Sequence, residues 1–258
     1  MQQAYETGGN LWDAHMQAKL SLLSEIHARC GATLNPDKIL IGFARRAAPY
    51  KRSDLIFRKL DVIEPYLRSG EIQLVFSGKA HPLDDTGKSI VANLVEMMNQ
   101  YPQSIVFVPN YDMEVGRMLT RGCDVWLNNP RRPNEASGTS GMKAAMNGIL
   151  NLSTLDGWWP EACEHGMNGW QFGDGYEGPD QDSHDLDALY KTLFSEVLPT
   201  YYDNRDRWVQ MMRKSMADTR EQFSSDRMVE DYYSRLYIPT VASKQVAVIT
   251  NNTECRPV

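Results

Sequence analysis

The stretch KILIGFARRAAPYKR, Lys38–Arg52, joins an apolar run of strand length to a loop crowded with cations. Ile39–Ala44 shows no polar alternation, so neither face of such a strand meets water, as a parallel sheet covered by helices on both sides requires. The same grammar recurs downstream in IQLVFSG (Ile72–Gly78), SIVFVP (Ser104–Pro109), DVWLN (Asp124–Asn128) and GILNLS (Gly148–Ser153). Between these runs the apolar residues take helical spacing: Ile56, Leu60, Ile63 and Leu67 before Gly70, then Val91, Leu94, Val95 and Met98 before Pro102. Upstream, Leu11, Met16, Leu20, Leu23 and Ile26 predict a leading helix that Gly31 stops. The fold class expected is α/β, a Rossmann-like, doubly wound parallel sheet. GDGYEGPDQ, beginning at Gly173, reads as a surface loop, and the later stripe of Trp208, Met212 and Met216 as a core-facing helix side. One domain over residues 1–239 and an irregular tail over 240–258 follow from that pattern.

Composition narrows the function. With 42% hydrophobic and 23% charged residues the chain is an ordinary globular one, and a net charge of −6 argues against a broad nucleic-acid surface. An anion site must then be local. Cys30, Cys123, Cys163 and Cys255 lie far apart without ligand spacing, so neither a disulfide framework nor a metal site is expected, and a reducing cytoplasm is the simpler setting. No apolar run approaches the roughly 20 residues that span a bilayer.

In a doubly wound sheet the ligand sits beyond the carboxyl ends of the strands, so the loops leaving them carry the chemistry. After the first strand come Arg45, Arg46, Lys51 and Arg52, interrupted by Pro49. They suit either a solvated face or two phosphate groups, Arg46 by a forked contact and Lys51 as a point charge. Lys79 follows a strand-end glycine in SGKAHP, which fits an anion loop or a plain turn equally well, and His81 alone tells little. In EASGTSGMK, Glu135–Lys143, small residues permit close backbone approach, and a helix starting near Gly141 would aim its positive end at an anion. Two readings stay open. Lys143 is a solvated helix residue behind a glycine turn, or it stands about one turn from a phosphate and binds a phosphorylated aldehyde, pyridoxal 5'-phosphate, covalently.

The ordered set GFARRAAPYKR, SGKAHP, PNYDMEVGRML, EASGTSGMKAAMNG and LDG, from Gly42 to Gly157, resembles the α-glucan phosphorylases, the glycogen and starch phosphorylases, in their carboxyl-terminal domain. The resemblance implies the carboxyl-terminal half of a two-domain GT-B glycosyltransferase. It implies that Lys143 carries pyridoxal phosphate, that Arg45, Thr139 and Ser140 hold its phosphate, and that Tyr111 lies by its ring. Arg46 and Lys51 match the ligands of substrate phosphate. Glu135 and the backbone of Ala136, Ser137 and Gly138 match the groups on glucosyl hydroxyls. The catalytic residues implied are thus Arg46, Lys51 and Lys143. The expected partners are inorganic phosphate, an α-1,4-glucan and glucose 1-phosphate, with an amino-terminal half or a second copy of the chain, and neither nucleic acid nor membrane. Arg45 stands where the animal and plant enzymes have lysine, and Asp112 where they have arginine; TSGMKAA also departs from their pattern, in the manner of the shorter bacterial and archaeal branch. The glucan-binding amino-terminal half is not found in this sequence, so the chain alone is expected to turn over glucan poorly. Two other readings compete. Half of a nucleotide-sugar glycosyltransferase would leave Lys143 without a covalent partner, and a non-catalytic glucan-binding module would stack sugars on Trp158, Trp159 or Trp170.

Overall fold

A computed structural model describes residues 1–239; the irregular tail expected over 240–258 lies outside the described residues. The chain divides into two compact units, Met1–Asp218 and Thr219–Val258. The first holds one six-stranded sheet, built from β1 (Ile39–Ala44), β2 (Ile72–Ser77), β3 (Ile105–Val108), β4 (Val125–Asn128), β5 (Leu150–Thr154) and β6 (Gly169–Phe172). Every pairing is parallel and the order is β3-β2-β1-β4-β5-β6. That is the doubly wound arrangement, with strand order reversing between β1 and β4. Ile41 pairs with Val125 and Gly42 with Trp126 across this switch point.

The first strand shows why the apolar run is unbroken. Ile39, Ile41 and Phe43 enter one core with Leu74, Phe76 and Trp208, while Leu40 and Ala44 enter a second with Val75, Val106 and Trp126. Side chains alternate between faces, and both faces are buried. Parallel strands need crossovers, supplied by α3 (Leu60–Ser69), α4 (Asp85–Gln100), α5 (Met113–Gly122), α6 (Thr139–Met146) and α7 (Trp159–Ala162). These follow a short α1 (Gln2–Glu6) and the long α2 (Leu11–Cys30), and precede α8 (Gln181–Thr192), α9 (Leu198–Asp203) and α10 (Arg205–Gln222).

Several expectations need correcting. β6 was not anticipated, because GWQF is only four residues long and opens on glycine. Helical spacing from Ile56 to Leu67 suggested one helix, but Leu55–Phe57 is a separate 3₁₀ turn ahead of α3. α2 runs as expected, capped by Asn10 and ended by Gly31 at φ 69°, yet its buried stripe differs. Leu20 is exposed, while His15 and Lys19 are buried. The reason is Asp124, one residue before β4. Its carboxylate meets His15 Nε2 at 2.7 Å, accepts from Lys19 Nζ at 2.6 Å and from the Leu40 amide at 2.7 Å, and Lys19 also donates to the Lys38 carbonyl. Buried charges persist when they are paired and hydrogen-bonded in this way. Burial works to raise the Asp124 carboxyl, but Lys19 and His15 together hold it below its ordinary value. The network locks α2 to the amino-terminal edge of the sheet and leaves the carboxyl ends of the strands free for a site.

In the second unit, α11 (Ser225–Tyr232) starts from a Ser224 cap on the Arg227 amide and runs on into a π-helical turn, Tyr233–Tyr237.

Candidate active site

The site forms where the loops after β1 and β4 face each other at the switch point. The chain leaving β1 is pinned to the exit of β2 by Arg45 N–H on the Ser77 carbonyl (3.1 Å) and Ala47 N–H on the Lys79 carbonyl (3.0 Å). It then turns through a 3₁₀ segment, Pro49–Lys51, into Arg52, which sits at φ 50°. Arg52 has no exposed surface: Nε donates to the Asn129 carbonyl at 2.7 Å, Nη2 to Pro130 O and Asp185, and Nη1 to Asp182. Asn129 Nδ2 returns a bond to the Arg52 carbonyl at 2.8 Å. This cation of the run is therefore a latch between the two loops and faces away from the site. Asp182, which also accepts from Arg58 and Arg131, is drawn well below the usual carboxylate range by those guanidinium groups against the opposing effect of burial.

After β4 the chain descends to α6, which begins at Thr139, two residues ahead of the Gly141 start that the sequence suggested. Its N-cap is Gly138 at φ 91°, a left-handed conformation without side-chain capping. Amides in the first turn of a helix have no intrahelical acceptor, so those of Thr139 and Ser140 are available to an anion. The sheet positions this turn directly. Asn128 Nδ2 donates to Asn151 Oδ1 at 3.0 Å, and Asn151 Nδ2 donates to the Gly141 carbonyl at 3.1 Å. A Cβ on Gly141 would lie 2.8 Å from both Asn151 Oδ1 and Trp158 Nε1, so only glycine fits there.

Two cavities meet at this turn. One, of about 550 Å³, is lined by Arg45, Arg46, Lys51, Glu135, Ala136, Ser137, Gly138, Thr139 and Ser140. The other, of about 420 Å³, is lined by Tyr111, Lys143, Thr139 and Ser140, together with Trp126, Gly116, Arg117, Thr120, Arg121 and Asn147. Thr139 and Ser140 belong to both. Lys143 follows Thr139 by four residues, hence on the same side of α6. Every residue singled out from the sequence as cofactor- or substrate-binding thus lines one cavity or the other. Lys79 and His81 line neither and are exposed. A larger cavity of about 670 Å³, against Gln73 and Ile105 near the amino ends of β2 and β3, contains none of these residues.

The cations are buried unequally. Arg45 Nη2 and Lys51 Nζ both donate to Glu135 Oε2, the former at 2.8 Å, while Arg46 is exposed with no ion pair among the described residues. Arg45 Nη1 is buried and has no hydrogen-bond partner. Burial pushes the Arg45 guanidinium down from its ordinary value, with Glu135 opposing. The backbone of Glu135 is fixed by Asp156, whose Oδ2 accepts the Glu135 amide and Oδ1 the Gly157 amide, each at 2.9 Å. Burial raises the Asp156 carboxyl, and the two amides act against that. Tyr111 is half-buried, and burial likewise raises its phenol. Asp112, the departure noted beside it, caps α5 by accepting the Val115 amide at 2.8 Å.

Sequence reasoning passed over Asp156, Trp126, Asn128 and Asn151. Asp156 had a usable signal, an acid at the carboxyl end of a strand; the others sit inside strands, where only the fold reveals their direction. The three tryptophans considered for sugar stacking are all buried, Trp158, Trp159 and Trp170 alike, and Trp170 packs its ring 5.7 Å from that of Trp208. They carry no glucan platform in this unit.

Among the described residues, no His, Cys, Asp or Glu cluster of metal-binding type occurs, and no helix is long and apolar enough to cross a membrane. The family model described as carbohydrate phosphorylase matches residues 3–173, which take in all six strands. The chain is 41% identical to maltodextrin phosphorylase of Thermococcus litoralis, over 90% of this chain and 30% of that protein. It is 39% identical to glycogen phosphorylase of Aquifex aeolicus, over 88% of this chain and 36% of that protein. It is also 39% identical to glycogen phosphorylase of Mycobacterium tuberculosis, over 91% of this chain and 30% of that protein. The chain therefore spans 30–36% of the length of these curated relatives. With the matched region enclosing both the sheet and the loops that build the site, the chain belongs to the carbohydrate phosphorylase family.

Proposed function

We propose that this chain is the cofactor- and phosphate-binding part of a cytoplasmic α-glucan phosphorylase, which transfers a glucosyl unit from an α-1,4-glucan to inorganic phosphate with retention and yields glucose 1-phosphate. The observation that carries the reading is the shared turn, Thr139–Ser140, between a cavity bearing Lys143 and one bearing Arg45, Arg46 and Lys51. The residues present fit pyridoxal phosphate. Lys143 offers an exposed amine beside Tyr111, and the unpartnered Nη1 of buried Arg45 needs an anion near the start of α6.

On this reading Lys143 holds the cofactor covalently, while Arg45, the first-turn amides of α6 and the hydroxyls of Thr139 and Ser140 hold its phosphate. When bound, the cofactor supplies a phosphate that relays a proton to the substrate phosphate. Arg46 and Lys51 seat inorganic phosphate next to it; without these cations two neighbouring anions would repel and their proton affinities would rise. Glu135 and the backbone amides of Ala136, Ser137 and Gly138 take sugar hydroxyls and orient the anomeric carbon. The seated phosphate then gives a proton to the departing glycosidic oxygen and bonds to the anomeric carbon on the face that oxygen left. Turnover of glucan also requires regions equivalent to the rest of the relatives' length, on this chain or on another.

The test is chemical. The protein is loaded with pyridoxal phosphate, freed of excess, reduced with borohydride and mapped by peptide mass spectrometry beside Lys143→Ala. A stoichiometric pyridoxyl group on Lys143 is expected; its absence, or its scatter over other lysines, overturns the reading.

A further inference from the structure

Glu135 holds an unusual position for a group that reads sugar hydroxyls. Its Oε2 is taken by both Arg45 and Lys51, whose side chains are only 7% and 9% exposed. Its Oε1 accepts no hydrogen bond among the described residues. The two buried cations that face the anion cavity are thus already neutralised in part by a carboxylate of the protein itself.

The loop that carries this carboxylate is held through its backbone, separately from the side chain. The Glu135 amide is anchored on Asp156, and the Ser137 carbonyl accepts the Trp158 amide at 2.9 Å. Beside the Glu135 side chain stand two residues without Cβ atoms: one added at Gly157 would lie 3.1 Å from Glu135 Cγ, and one added at Gly138 would lie 3.8 Å away. The loop backbone is thus held by its own hydrogen bonds, and the Glu135 carboxylate is engaged only by the two cations.

We infer that Glu135 is a displaceable internal counter-anion: beside Arg45 it occupies Lys51 until inorganic phosphate replaces it there, and the displaced carboxylate is then free to accept hydroxyl hydrogens from a sugar. The role rests on the proposed phosphate-binding function of the same site. Charge dictates the exchange. Arg45, Lys51 and Glu135 sum to one positive charge, so a phosphate dianion entering this half-buried cavity is attracted by the cations and repels the carboxylate. Phosphate and sugar then bind with positive coupling, because each occupies what the other's arrival leaves available.

The experiment titrates inorganic phosphate calorimetrically into the full chain and into Glu135→Gln, Glu135→Ala and Lys51→Met, with far-ultraviolet circular dichroism to establish folding. Removing the competing charge is expected to tighten phosphate by on the order of tenfold, equivalent to about 1.4 kcal/mol, in both Glu135 variants, while Lys51→Met weakens it. Glucose titrated with and without phosphate should bind more tightly with phosphate in the unaltered chain and show no such gain in Glu135→Gln. Equal or weaker phosphate binding by the folded Glu135 variants overturns the inference, as does a failure of every form to bind phosphate. Borohydride mapping separates this outcome from the cofactor reading: tightened phosphate without a Lys143 adduct retires the cofactor and keeps the counter-anion, and the converse result does the reverse.

Discussion

Trp126 Nε1 lies 3.3 Å from Ser140 Oγ, so a side chain of β4 donates to a hydroxyl in the first turn of α6. A serine hydroxyl has one hydrogen and two lone pairs. With one lone pair taken by the indole, its own hydrogen is left to point at an anion. The sheet thereby sets the hydroxyl's direction before any ligand arrives, which is preorganisation in its simplest form.

That contact predicts a measurable coupling. Trp126→Phe removes the donor but also opens space in the core, so the single variant is ambiguous. A double-mutant cycle with Ser140→Ala cancels the packing loss. The expected interaction energy in pyridoxal phosphate binding is about 0.5–1.5 kcal/mol, the net worth of one hydrogen bond. Additive single effects, within error, would mean that Ser140 is oriented by something else.

Arg45 yields a sharper comparison. Its buried Nη1 lacks a partner while Nη2 is committed to Glu135, so the guanidinium has a fork with one free prong. Arg45→Lys keeps the charge and loses the fork. Affinity for pyridoxal phosphate should drop on the order of tenfold, as expected for one charge-assisted hydrogen bond. Affinity for pyridoxal, which has no phosphate, should hardly change. Spectrophotometric titration with the two aldehydes side by side checks this, and an equal drop for both would remove Arg45 from the phosphate.

The fold was legible wherever chemistry was local. Five of six strands stood out because both their faces are buried, and the stop of α2 was written in Gly31. What escaped depended on partners distant in the chain. Lys19 and His15 sit on the apolar side of α2 because Asp124, more than a hundred residues away, gives each a hydrogen-bond partner there. Arg52 looked like one more cation of the loop, yet Asp182 and Asp185 of α8 turn it inward. In the site the types of residue were evident from the motif, whereas the contact of Glu135 with Arg45 and Lys51 was not, since charge pairing is decided by side-chain direction.

The Asp124 network predicts both a stability loss and its pH signature. Asp124→Ala leaves Lys19 and His15 buried without their carboxylate partner and should cost about 3–5 kcal/mol in urea unfolding. Because the folded Asp124 carboxyl is held below its unfolded value, its contribution is fully present above that unfolded value, near pH 4. It is lost as the pH falls through the folded value. Stability of Asp124→Asn should therefore decline less steeply in this acid window than that of the unaltered chain. Parallel curves would assign acid unfolding to other carboxylates, Asp182 foremost.

Asp156 should behave in the opposite sense. One oxygen accepts the Glu135 amide and the other the amide of its own neighbour Gly157, so Asp156 ties the loop carrying Glu135 to the segment after β5, beside the Trp158 amide on the Ser137 carbonyl. In Asp156→Asn one amide proton must face an NH₂ group, leaving a partly buried donor unsatisfied at a cost of about 1 kcal/mol. The raised carboxyl of Asp156 favours the folded state below its unfolded value, around pH 4, and loses that contribution as the pH rises through the folded one. The variant should accordingly lose more stability near pH 4 than at neutrality, where the ionised, partly desolvated carboxylate already offsets some of what its bonds provide. Its loop is expected to bind glucose more weakly, yet a borohydride-trapped adduct should still form on Lys143, because α6 is held independently by Asn151 and Trp126. Loss of the adduct in a folded Asp156→Asn protein would show that the two cavities are not independent and that the Glu135 loop also supports the lysine side.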